Sequence, residues 1–228
     1  MRDVSTGWEG EPDGPDLDFD EELEDQWLAE WDEAEREAVE ILRSALAGYR
    51  RQPLPADQPS AVAAAVRSRL REGGHPLEWV RQAAGLSDDP ASEGDAELLI
   101  RLTAATISPQ EETGLDVEEE SLLLSLEHAD WLGAIIGMIR NGPGADASPD
   151  ALVDGIRNCP ELELESNLDL DDESHLEAAF WIVALPWQVL GAVDRDQRLT
   201  ELGQWILPRA LARAWGGDFD AERRDIQS

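Results

Sequence analysis

The sequence predicts an all-α protein, a helical bundle, on three observations. Apolar residues recur every three or four positions over most of the chain. Clusters of Pro, Gly and acidic residues separate these stretches. The longest helical pattern, Asp116 to Gly142, runs without a Pro and is apolar on every side in its second half. A length of 228 residues suits one large domain or two small ones and is enough to bury a core.

The first 19 residues carry Gly7, Gly10, Pro12, Gly14 and Pro15 among acids and read as a disordered acidic leader. A helical bundle is expected over 20–147. Leu23, Trp27, Trp31, Ala34, Ala38, Ile41, Leu42 and Ala45 mark an amphipathic helix from about Asp20 to Tyr49, with acids at its start and Arg at its end, as the helix dipole prefers. Pro53 and Pro55 stop it. The Ala-rich stretch Pro59 to Leu70 and a short helix opened by Pro76 follow, separated by Gly73-Gly74. Leu98, Leu99, Leu102 and Ile107 then form one stripe of a helix over Asp95 to Ile107.

The stretch from Asp116 to Gly142 is expected to be the spine of the bundle. Asp116 is placed to cap it, Glu118 to Glu120 sit where the dipole favours negative charge, and Asn141-Gly142-Pro143 supplies the stop. As one continuous helix it would be roughly 36 Å long at 1.5 Å per residue. Ser121, Ser125, Ala129, Gly133 and Gly137 recur at four-residue intervals and form a small-residue row for close helix packing. The row reads as core packing inside one chain, with a dimer face as the alternative. Glu120, Glu127 and Asp130 mark the wet stripe of this helix.

Ser148 is placed to cap a helix opened by Pro149, and the alternating ELELESNLDLDD at 161–172 reads as an extended connector. A long apolar stretch to Val193, a turn at Asp194 to Gln197 and a last helix to about Trp215 complete the order, with a flexible tail over 217–228. Within this part Leu190-Gly191-Ala192-Val193, the turn, and Leu199-Thr200-Glu201-Leu202-Gly203 stand in sequence. They resemble the helix end, wing and following helix start of a winged helix-turn-helix module. LTELGQW with ALARAW is also similar to uncharacterised proteins of GC-rich bacteria. The resemblance implies a small winged-helix-like unit over 148–216 with at most a short two-stranded wing.

The family's DNA-reading activity needs Arg, Lys, Asn or Gln on the recognition helix. The matching stretch, Phe180 to Leu190, offers only Gln188, and Pro186 would kink it. Arg195 and Arg198 alone are placed to touch phosphate.

A formal charge of −33, with all 18 basic residues Arg, argues against a broad nucleic-acid face. Over 41–84 Arg outnumber acids seven to three, so Arg67, Arg69 and Arg71 join Arg195 and Arg198 as candidate interaction residues. Cys159 has no disulfide or zinc partner, which fits a reducing cytoplasm, and the apolar run Phe180 to Val193 is shorter than the roughly 18 residues of a membrane span.

His128 falls among apolar neighbours and reads as a core histidine, while His75 and His175 sit at helix starts. The acidic DLDFDEELEDQW lacks Gly at the sixth position of a calcium loop and Glu at the twelfth. No catalytic motif is present, so no catalytic, cofactor or metal residue is assigned. The sequence therefore predicts a soluble, cytoplasmic, non-enzymatic interaction or regulatory protein with a basic protein partner. Its alternatives are a winged-helix DNA-binding transcriptional regulator and an acidic inhibitor of the immunity or nucleic-acid-mimic type.

Overall fold

Helices and the turns between them make up almost all of the described chain, which in the computed structural model comprises residues 40, 44–55, 58–73, 76–86, 93–109, 112–159 and 170–215. These residues belong to one unit, Ala38–Ser228; none falls in the other, Met1–Glu37. The predicted leader, most of the helix expected over 20–49, the connector as far as 169 and the tail lie outside the described residues, while 170–172, expected to be extended, open a helix. A helical segment at 44–50 precedes α1 (Gln58–Glu72), α2 (Leu77–Ala83), α3 (Asp95–Ile107) and α4 (Val117–Leu124). After these come α5 (His128–Asn141), α6 (Pro149–Arg157), α7 (Leu170–Val189) and α8 (Glu201–Trp215). Among the described residues no single helix is long and apolar enough to cross a membrane.

Local sequence accounts for most boundaries. The Asp116 carboxylate accepts the Glu118 and Glu119 N–H groups at 3.0 and 2.9 Å, and Ser148 Oγ accepts from Ala151 N–H at 3.4 Å ahead of Pro149. Gly142 ends α5 at φ +78°, a backbone conformation that favours glycine. Arg side chains close other helix ends. Arg101 donates through Nε and Nη2 to the Ala84 carbonyl just beyond α2, and Arg81 reaches the Leu86 carbonyl. Arg209 of α8 donates to the carbonyls of Tyr49, Arg50 and Gln52 and stacks 4.0 Å from the Trp205 ring centroid. The Trp205 indole N–H joins it on Gln52 O at 3.2 Å, so the segment after residue 48 is pinned to α8. Burial pushes the Arg209 guanidinium down to about 10, with Arg50 adding to the effect, so it stays charged at neutral pH.

The predicted spine is not one helix. It breaks at Ser125–Glu127, and α4 and α5 are bent by 76°. A second helix start inside the stretch explains the break: the Asp130 carboxylate accepts the Glu127 N–H at 2.9 Å, as the N3 residue of a capping box does. The bend turns α4 onto α7 and buries Leu123 and Leu126, while α5 enters the core against α6 and α8. Trp131 of α5 meets Phe180 edge-to-face, centroids 5.5 Å apart, and lies 6.2 Å from Trp187. Trp187 in turn donates its indole N–H to Thr106 Oγ1 of α3 at 2.9 Å. The buried aromatics thus tie α3, α5 and α7 together.

The break also divides the small-residue row. Ser121 and Ser125 are exposed and return their hydroxyls to Val117 O and Leu122 O. Gly137 faces α6: a methyl added there would lie 3.1 Å from Gly155 Cα, and one at Gly155 would lie 3.3 Å from Gly133 O and Ala134 Cα. Of the row, Gly137 packs against α6 within the chain, and Ser121 and Ser125 have no part in that crossing. Gly137→Leu and Gly155→Leu should each lower stability by at least about 1–3 kcal/mol, since they overpack this crossing. A urea titration beside a mass measurement in solution checks this. A folded chain of lower mass would show instead that the row joins two copies.

Candidate functional site: the outer face of α7 and its hairpin

The chain leaves α7 through Gly191, at φ +73°, and doubles back in a short hairpin. Val193 pairs with Leu199 across it, and Asp194 N–H donates to Arg198 O at 2.8 Å. The Asp194 carboxylate accepts the N–H groups of Asp196 and Arg198, both at 2.9 Å, which closes the turn. A third segment joins from before α6: Asp146 pairs with Arg198, and Ala147 N–H donates to Gln197 O at 2.8 Å. The LTELG sequence then locks the next helix. Thr200 Oγ1 donates to Gly191 O at 2.6 Å and accepts Gly203 N–H at 2.8 Å, so one hydroxyl holds the turn and caps α8. Gly203 lies directly against the Ala192 carbonyl oxygen, where no Cβ fits.

On α7 itself Phe180, Val183 and Trp187 are fully buried, at the i, i+3 and i+7 positions of an inward face. The opposite side carries Trp181, 57% exposed, and Leu185, 44% exposed, one turn apart. Glu177, half-buried, precedes Trp181 by one turn, and no Arg occurs on α7. The neighbouring α4 also exposes Val117 and Leu124, at 80% and 64%, and opens with Glu118, Glu119 and Glu120. Both helices thus expose apolar side chains, and both carry carboxylates.

The five arginines singled out from sequence occupy different environments. Arg67 is turned inward, paired with Asp95 and donating to Glu93 O at 2.7 Å, so it braces α1 against α3. That makes it a structural cation and removes it from the free basic surface. Arg69 and Arg71 are exposed in the last turn of α1. Arg195 is exposed at the hairpin tip, and Arg198 pairs with Asp146 at 3.1 Å. The Asp146 carboxyl is held below the ordinary value first by the Ser148 N–H, with the Ser148 hydroxyl and Arg198 adding to it.

A groove of about 360 Å³ lies where the end of α2 meets α3 and α8, walled by Ala84, Gly85, Ala104 and Ala105. Its two guanidiniums are already engaged, Arg101 by Glu93 and the α2 carbonyls and Arg213 by Glu97, so it presents no net positive charge. His128 is half-buried in the first turn of α5, short of the core position expected for it, and His175 is exposed on α7. His75 lies outside the described residues. Among the described residues no group of three or more His, Cys, Asp or Glu side chains is placed to hold a metal ion.

Sequence reasoning missed Trp181 and Leu185 because a helix apolar on both sides carries no pattern to tell inside from outside. Compared with protein-family models, curated proteins and solved structures, the chain matches none.

Asp130, predicted to lie on the wet stripe, is the half-buried N3 cap of α5, and desolvation raises its carboxyl pKa above 3.8, against the lowering by the Glu127 N–H that it accepts. The folded state therefore holds this proton more tightly than the unfolded state. Its contribution favours folding at low pH and turns against folding as pH rises through 3.8 toward the folded value. Asp130→Asn keeps an acceptor for Glu127 N–H and removes the charge. It should raise the unfolding midpoint at neutral pH, and the gain should disappear at acid pH.

Proposed function

We propose that this chain is a non-enzymatic, cytoplasmic interaction or regulatory protein. Its C-terminal helices and hairpin form a degenerate winged-helix-like unit whose surface serves protein contact. The order of helix, helix, hairpin and capped final helix over 149–215 supports the unit, with α7 in the place of a recognition helix and 192–200 in the place of a wing. One observation carries the functional reading. The side of α7 that faces solvent presents Trp181 and Leu185, where a DNA reader needs side chains that hydrogen-bond base edges.

Electrostatics supports the same side. A chain of net charge −33 repels a phosphate backbone, and Arg198 is engaged with Asp146. Large exposed apolar side chains grouped on one helix are a recurrent mark of protein-binding surfaces.

Fluorescence polarisation with random-sequence and genomic duplex DNA at low salt tests this reading. The expected result is no binding. Binding that survives moderate salt and falls when Arg195 and Arg198 are replaced by Ala would make the chain a DNA-binding regulator instead.

A further inference from the structure

We propose that the Trp181–Leu185 strip of α7 is the docking surface for an amphipathic helix of another protein. That helix would carry two apolar anchors one turn apart and Lys or Arg beside them. The proposal rests on the interaction reading above and adds the chemistry of the partner.

Geometry sets the first half of this description. Trp181 and Leu185 stand at i and i+4, so their exposed surfaces lie in line along α7. An apolar pair in line along a helix is matched by a second helix laid against it with anchors at the same spacing. Trp is the residue type that most often dominates such contacts, because its large rigid surface loses little freedom on binding. Behind the strip, Phe180, Val183 and Trp187 are buried in the core, so the platform is already ordered before a partner arrives.

Charge sets the second half. Glu177 lies one turn before Trp181 on the same helix. α7 has no Arg to offset it. A basic side chain flanking the partner's apolar anchors meets Glu177, and the field of the whole chain, at −33, speeds its approach. A second copy of this chain brings the same carboxylate and the same net charge to the contact, so charge opposes that occupant. An anionic membrane surface is opposed for the same reason.

The test uses the full chain and a labelled synthetic helical peptide of Leu, Ala and Arg, with leucines one turn apart. A scrambled isomer of identical composition controls for bulk charge. At moderate salt the ordered peptide should bind at least about tenfold more tightly than the isomer. Trp181→Ala combined with Leu185→Ala should erase that preference in a chain that still unfolds cooperatively, since about half of each side chain lies outside the core. Glu177→Gln should weaken the ordered peptide and flatten its salt dependence, whereas Leu54→Ala, an exposed apolar site elsewhere, should change nothing. Equal binding of the two peptides, or a preference that survives the double substitution, overturns the proposal. So does a wild-type dimer in sedimentation that the double substitution dissolves. DNA binding in the polarisation assay would defeat the interaction reading itself, whereas loss of the peptide preference alone defeats only this partner.

Discussion

The contact on which the rest of the structure depends is the backbone-to-backbone crossing of α5 and α6 at Gly137 and Gly155. With no Cβ at these positions, the helices approach until an added methyl would stand 3.1–3.3 Å from the opposing main chain. Closeness on that side fixes where the other side of α5 points. It delivers Trp131 into the centre, where Phe180 and Trp187 complete the aromatic cluster and Thr106 satisfies the Trp187 indole. The inward face of α7 is consumed by this cluster. Trp181 and Leu185, at the intervening positions, are left to solvent.

A chain with 51 acids and no Lys makes particular use of its 18 Arg. Several are spent on helix ends: Arg81 and Arg101 gather the carbonyls beyond α2, and Arg209 gathers those after residue 48. A planar guanidinium can hold two or three carbonyls at once and remain charged while partly buried, which an ammonium does less well. These contacts take basic charge off the surface that composition alone assigned to it. The local excess of Arg over 41–84 is in part scaffolding.

The final third shows how far a short motif reaches. Leu-Thr-x-x-Gly is legible as a helix start, and each residue has a physical duty: Leu199 is buried, Thr200 caps and ties, and Gly203 admits the Ala192 carbonyl. The all-α class, the ends of α3, α6 and α8, and the Asp116 and Ser148 caps were likewise readable, because capping and periodicity act over a few residues. The break at Ser125–Glu127 was not. Both halves satisfy a helical pattern, and EHAD reads equally well as helix interior or helix start.

What the sequence by itself determined is local: which stretches are helical, where most of them stop, and a strongly acidic charge. The tertiary structure alone decided which faces of α5 and α7 meet water. The stretch from Asp116 to Asn141 and the stretch Phe180 to Leu190 are apolar on more than one side, so their patterns permit several orientations. The choice among them is made at a distance, by glycines that let α6 close on α5 and by aromatics on α5 and α7 that fit one another. Trp181 became surface and Asp130 became a half-buried cap through those contacts.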